Sequence, residues 1–291
     1  MAPEGFRRLN SISYPPNLDK GEPSMTKDTF LIPVPPQQLG QLLGWDVTPA
    51  HLAYRVGRGP HLFRSGGSTP LKGGVMVVDN RGFDGLGEPS MFCQEVVREC
   101  QARGFSGAVL DFEGRLPPLE RIASLLDESF SRRGWPLYVP ESYGLCACKA
   151  RVMIPSALSG GSLALRLEEA GERFGRDRVA LALEKAAEDF FLPSPTGSGV
   201  PLSREELEER LDRLRPSVFF SNELCARYFT YMSRETGAHF VLFDDGDTLR
   251  RKVEVARRAG VHTFLAPWAQ VQEHLELLGI QRLAAPMNRP R

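Results

Sequence analysis

The chain has 291 residues, with 36 Lys and Arg against 36 Asp and Glu and a formal net charge of zero. That balance excludes a general attraction to polyanions, so neither nucleic acid nor an anionic membrane is expected as a partner. Hydrophobic residues make up 42 % and charged residues 25 %, the makeup of a globular domain, and no apolar run approaches the roughly 18 residues of a membrane span.

The opening stretch is polar and proline-rich and carries nothing like the apolar core of a secretory signal. Residues 1–27 therefore read as a disordered arm, a cytoplasmic location is expected, and residues 28–291 read as a single domain. The first strand is 29–34 and the second 51–56, followed by a Gly/Arg/Pro-rich hairpin or loop over 57–74 that lacks any sustained period. Residues 74–79 form a short continuous apolar run, the pattern of a buried parallel strand. From Ser90 to Arg103, Phe92, Val96, Val97 and Cys100 fall on one helical face, and Gly104 closes the helix. A strand at 107–112 follows. The next helix, 118–133, has a stripe of Leu119, Ile122, Leu125, Leu126 and Phe130, and a strand at 136–140 comes after it.

Further strands are expected at 150–154, 179–183, 217–220, 238–243 and 262–266, with helical stretches between them. Two of these helices are well marked. Ser203 and Glu206 make a capping box, and the helix over 248–259 stops before Gly260. Regular alternation of strand and helix argues for a parallel sheet. The number of strands favours a (β/α)8 TIM-type barrel over an open doubly wound sheet.

No cofactor or metal is expected. The glycines of 57–74 are not spaced as a phosphate loop, and Gly82, Gly85 and Gly87 run the dinucleotide spacing backwards. The five histidines lack metal-ligand spacing. The five cysteines, Cys93, Cys100, Cys146, Cys148 and Cys225, read as ordinary reduced thiols. Arg250, Arg251 and Lys252, with Arg257 and Arg258, read as the solvated face of a helix.

Asp111 and Glu113 stand apart from this background. They are two residues apart at the carboxyl end of a buried strand, so the pleat turns both side chains to one face, towards the mouth of a barrel. Burial and like-charge proximity raise a carboxyl pKa, and such a pair can keep one member protonated as a general acid. The alternative is that they cap the next helix or pair with Arg115 or Arg121.

The segment from Gly104 to Gly114 resembles the signature strand D-G-x-D-x-D-x-E of the family 18 glycoside hydrolases, the chitinase-like barrels. Gly107, Asp111 and Glu113 match, whereas Ser106 and Val109 stand where the two earlier aspartates would be. The order Tyr231, then Phe243-Asp244-Asp245, Lys252 and finally Trp268 is similar to the last third of that family. The resemblance implies a retaining, substrate-assisted hydrolase of N-acetylhexosamine-containing glycans, chitin-like or peptidoglycan-like. Glu113 would then be the acid/base, Asp111 its orienting neighbour, and Trp268 the aromatic floor beneath the sugar. Asp244 and Asp245 read more simply as a helix N-cap. The family's M-x-Y-D strand, whose tyrosine and aspartate hold the N-acetyl group, is replaced by Met153-Ile154-Pro155-Ser156. Ordinary chitin should therefore be a poor substrate unless another polar group fills that role, with Glu141 and Tyr143 the first candidates by position. The competing reading is a barrel without turnover that binds a glycan or serves as a structural protein.

Overall fold

The structure is a computed structural model that describes residues 27–65, 72–193 and 197–283. Apart from Lys27, the expected N-terminal arm lies outside these residues. The chain runs through β1 (Thr29–Val34), β2 (Thr48–Val56), β3 (Leu62–Arg64), β4 (Val75–Asp79), α1 (Pro89–Arg103), β5 (Gly107–Asp111), α2 (Pro117–Ser131), β6 (Leu137–Pro140), β7 (Arg151–Pro155), α3 (Leu163–Phe174) and β8 (Val179–Ala182). An insertion follows, made of β9 (Ala187–Leu192), β10 (Val200–Pro201), α4 (Arg204–Leu214), β11 (Phe219–Ser221), β12 (Ala226–Ser233) and β13 (Gly237–Phe243). The chain then returns through α5 (Gly246–Arg258), β14 (Thr263–Leu265) and α6 (Trp268–Val271).

Eight parallel strands close a barrel in the order β1, β14, β8, β7, β6, β5, β4, β2, with β2 pairing back onto β1. Strand β3 joins β2 as an antiparallel hairpin partner, so the described start of the stretch expected to be a hairpin or loop is a hairpin. The interior is filled by Leu31, Ala50, Val75, Val77, Val109, Tyr138, Met153, Ala180 and Ala182. Alternate residues such as Ile32, Val78, Leu110 and Ile154 point outward into the layer beneath the helices, as the two-residue side-chain period demands. Helices α1 and α2 contribute Phe92, Val96 and Cys100, and Leu119, Ile122, Leu126 and Phe130, to that layer.

Local chemistry explains where the helices begin and end. Glu88, rather than Ser90, caps α1, its side chain accepting from the Ser90 backbone N–H, with Pro89 at the first helical position. Gly104 ends α1 in the left-handed region that a side chain disfavours. Ser203 and Glu206 form the expected capping box on α4.

Two expected barrel strands belong elsewhere. Residues 217–220 and 238–243 contribute to β11 and β13 of a separate five-stranded antiparallel sheet, ordered β10, β9, β13, β12, β11. The intervening β12 has no helix on either side and pairs with β13 as a hairpin from Arg227–Phe243 down to Ser233–Gly237. A short apolar run has the same appearance in a parallel or an antiparallel strand, so the pattern alone did not separate them. Helix α4 covers one face of this sheet, with Leu207, Leu211 and Leu214 against Phe229, Val241 and Phe243.

Candidate active site at the barrel mouth

Strands β4 and β5 bring their terminal carboxylates side by side. Asp79 and Asp111 are partners in the parallel register. Two residues beyond Asp111, on the same side of the pleat, comes Glu113. Close approach of β5 to β6 depends on Gly107, where a Cβ would lie 2.5 Å from the Pro136 carbonyl oxygen. After Glu113 the chain turns at Gly114, with a φ of 68° that favours glycine.

The backbone of Glu113 is held from two directions. Its N–H donates to Asn80 Oδ1 at 2.9 Å, and its carbonyl accepts from Asn80 Nδ2 at 3.0 Å. One step on, the Gly114 carbonyl accepts from the Tyr143 hydroxyl at 2.9 Å. The main chain is therefore fixed while the Glu113 carboxylate makes no hydrogen bond or ion pair among the described residues. Among the described residues Asp111 is equally without a partner, whereas Asp79 is bound by Arg81 at 2.6 Å. The Asp111 pKa is raised, first because the surrounding strand ends displace water from it, then by the charges of Asp79 and Glu113, with Arg81 opposing.

On the far side of the mouth, β8 runs on to Glu184, two residues past the interior Ala182 and thus on the inward side of the pleat. Ser156 braces this turn, accepting from the Glu184 N–H at 3.0 Å and donating to its carbonyl at 3.4 Å. Lys252 Nζ also reaches that carbonyl, at 3.4 Å, while forming a buried pair with Asp244 at 2.6 Å. Burial raises the Glu184 pKa, Lys252 opposes the rise, and the charge of Asp111 adds to it. Lys252 is thus an interior strut and not part of a solvated basic face. Its stem lies on the buried stripe of α5 with Leu249, Val253 and Ala256.

The other expected site residues are placed differently. Glu141 opens a short 3-10 turn after β6 and pairs with Arg166 and Arg173 of α3, away from the barrel interior. Tyr143 is fully buried, edge-on to Phe112 at 5.7 Å, and acts as a strut under the Gly114 turn. Trp268 packs into the layer outside the barrel with 7 % of its surface accessible, and its indole N–H donates to Gln41 at 2.6 Å. Position in the chain near a strand end does not specify on which side of the wall a side chain falls. Asp245 caps α5, accepting from the Thr248 N–H, as expected. Asp244 does not cap. It joins Lys252 and accepts from the Ala186 N–H at 2.7 Å.

Asp79, Asn80, Arg81 and Glu184 escaped the sequence reading. A signal existed for them, because a charged or amide side chain directly after a buried apolar run is the same positional cue that singled out Asp111. Val109, the position on β5 where a further aspartate would be expected, faces the interior core. The neighbouring strand places an acidic side chain two residues further on, Asp79 opposite Asp111.

The described residues form a closed eight-stranded parallel barrel of the (β/α)8 class, with an acid pair at the end of its fourth strand. No family model matches the sequence, and no curated protein matches it. Solved structures do. The chitinase of Chromobacterium violaceum ATCC 12472 superposes with a TM-score of 0.59 at 15 % identity, over 85 % of this chain and 99 % of its own. The spore cortex-lytic enzyme SleL of Bacillus megaterium QM B1551 gives 0.58 at 14 % identity, over 85 % of this chain and 71 % of its own. A class V chitinase from Pseudomonas fluorescens Pf-5 gives 0.57 at 13 % identity, over 84 % and 95 %. The expected resemblance thus holds at the level of the fold, and the chemistry must be argued from the site.

Proposed function

We propose that the protein is a glycoside hydrolase acting on an N-acetylhexosamine-containing glycan of chitin or peptidoglycan type. The observation that carries this reading is the pair Asp111 and Glu113, unpartnered at the barrel mouth on a backbone fixed by Asn80 and Gly114. A carboxylate left free on a rigid support is suited to meet a reacting atom. In the proposed reaction, Glu113 in its acid form gives its proton to the glycosidic oxygen, and the leaving sugar departs as an alcohol. The acetamido oxygen of the same substrate attacks the anomeric carbon, so one protein acid suffices. Asp111, flanked by Asp79, stabilises the positive charge that develops on the acetamido group. Glu113, now a carboxylate, takes a proton from the incoming water, and the product retains its configuration.

The test is incubation of the protein with N-acetylglucosamine oligomers and with peptidoglycan fragments, compared with Glu113→Gln. Release of shorter saccharides by the native protein and none by the variant is the expected result. A second reading, a glycan-binding barrel without turnover, draws support from β7, where Pro155 and Ser156 offer no free polar side chain to hold an acetamido group. Saccharide binding with no cleavage by the native protein selects that reading.

A further inference from the structure

A cleft of about 540 Å³ opens beside the barrel, between the insertion and the segment that follows β14. Helix α4 and the antiparallel sheet give it an apolar floor of Ala187, Leu202, Leu207, Leu211 and Phe243, a size and lining suited to a small molecule. Its polar wall comes from the link between β8 and β9, where Lys185 stands, and from the residues after α6, which include His274. The two side chains meet there, with Lys185 Nζ 3.2 Å from His274 Nε2. Both are held in place. The Lys185 N–H donates to Gln270 Oε1 at 2.8 Å, and the next N–H, that of Ala186, donates to Asp244. The imidazole lies against the first turn of α5 where a side chain has no room, because a Cβ on Gly246 would lie 2.7 Å from His274 Nδ1.

Lys185 differs from the other described lysines. Lys252 is buried and locked to Asp244, Lys27 pairs with Asp46, and Lys72 and Lys149 are exposed. Lys185 is half-buried, and among the described residues its Nζ has His274 as its hydrogen-bond partner and forms no ion pair. Burial lowers its pKa, with help from Arg204 and against the charges of Glu273, Asp244 and Asp245. Those carboxylates are engaged elsewhere, Glu273 by Arg204, Asp244 by Lys252 and Asp245 by Arg227. The His274 pKa is lowered too, first by burial and then by the charge of Lys185, so near neutral pH the ring is a neutral base.

We propose that Lys185 is a nucleophilic amine that takes an aldehyde with an apolar body as an imine, with His274 as its proton carrier and the floor of the α4 cleft as the seat of that body. An amine and a base within hydrogen-bond reach are the parts that an activated nucleophile needs, and partial burial favours the uncharged amine that attacks. The lone pair of Nζ forms a bond to the carbonyl carbon, and the carbonyl π pair moves to oxygen. His274 takes one proton from the nitrogen and passes it to that oxygen, giving a carbinolamine. The nitrogen lone pair then closes the C=N bond as the C–O bond breaks, and the oxygen leaves as water after His274 carries the second nitrogen proton to it. One water is released for each imine formed, and nothing is oxidised or reduced.

The experiment treats the full native chain with pentanal and sodium cyanoborohydride near neutral pH, which converts each imine to a stable pentylamine, and follows the lysines one by one by peptide mass spectrometry. Lys185 should be labelled at least about 10-fold faster than the exposed Lys72 and Lys149, the gain in free amine that burial of a lysine brings. With glyceraldehyde, which has no apolar body, that advantage should shrink at least about 4-fold, the worth of one buried CH2 group. His274→Gln keeps a hydrogen-bond partner and removes the base, so it should slow Lys185 labelling about 10²-fold, the lower end of what a positioned proton carrier supplies, and leave Lys72 and Lys149 unchanged. Lys185→Arg should remove the fast site while the other lysines react as before, and melting curves on the same samples establish that each variant is folded. Labelling of Lys185 no faster than that of Lys72 and Lys149 in the native chain overturns the proposal outright. An unchanged Lys185 rate in His274→Gln overturns the role of the imidazole, and an equal advantage with glyceraldehyde overturns the apolar seat.

Discussion

Two acidic groups in this molecule are built on opposite plans. In the insertion, buried Asp189 is saturated. His239 Nδ1 lies 2.9 Å from one oxygen, the Tyr231 hydroxyl donates to the other at 2.9 Å, and Arg210 closes an ion pair. His239 is stacked on Tyr231 at 4.3 Å and has Phe191 at 4.6 Å, and its Nε2 meets the Thr236 hydroxyl at 2.6 Å. At the barrel mouth, by contrast, Asp111, Glu113 and Glu184 have no such partners among the described residues, although Asp79 and one another's charges stand close by. A buried carboxylate surrounded by donors and a cation fixes a fold. One held on a rigid backbone with its oxygens free is costly to the fold and available to a ligand.

The difference predicts opposite consequences of substitution. Glu113→Gln should lower turnover by about 10²- to 10⁴-fold, the contribution of a positioned general acid, while the melting temperature stays within a degree or two of the native value. Cleavage of N-acetylglucosamine oligomers followed by chromatography checks the first half, and a thermal melt the second. Asp189→Ala should do the reverse, lowering stability by about 3–5 kcal/mol because it strands Arg210 beside a buried histidine. Denaturant unfolding measures this, and a loss below 1 kcal/mol would show that the insertion does not depend on its ion pair.

Trp268 sharpens the comparison, since the sequence places it at the mouth and the structure in the wall. Trp268→Ala should cost about 3–5 kcal/mol of stability as a core truncation, with saccharide affinity in the folded fraction little changed. An affinity loss without a stability loss would restore the sugar-floor role. A smaller effect is expected from Asp111→Asn on stability. With a folded pKa raised above the usual aspartate range by burial and by the neighbouring carboxylates, Asp111 binds a proton in the folded state at a pH where the unfolded chain has already lost it. Stability on this account increases as the pH falls from the folded pKa to about the unfolded value, and is lowest above both. Asp111→Asn should thus raise the neutral-pH melting temperature and flatten its rise on acidification, even as it impairs turnover. The smallest effect belongs to Tyr143→Phe, which removes the hydrogen bond under Gly114 and should cost about 0.5–1.5 kcal/mol, with a modest fall in kcat if the Glu113 turn loosens.

The sequence by itself determined the alternation of strand and helix, the interior character of 74–79 and 107–112, the capping box at Ser203, and the position of Asp111 and Glu113 at the end of a buried strand. These follow from interactions within a few residues: the two-residue period of a strand, the 3.6-residue period of a helix, and the side chains that satisfy a helix end. Tertiary structure decided which short apolar runs joined the barrel and which formed the antiparallel insertion, because strand direction depends on the partner and not on the run itself. It also decided which side of the wall received Glu141, Tyr143 and Trp268. The mouth itself is a product of closure: Asp79 meets Asp111 only through the register of β4 with β5, and Glu184 faces them only because β1 and β2 pair and bend the sheet into a barrel. Residues about 70 and 100 positions apart share an electrostatic environment there, and no local pattern in a chain encodes such a distance.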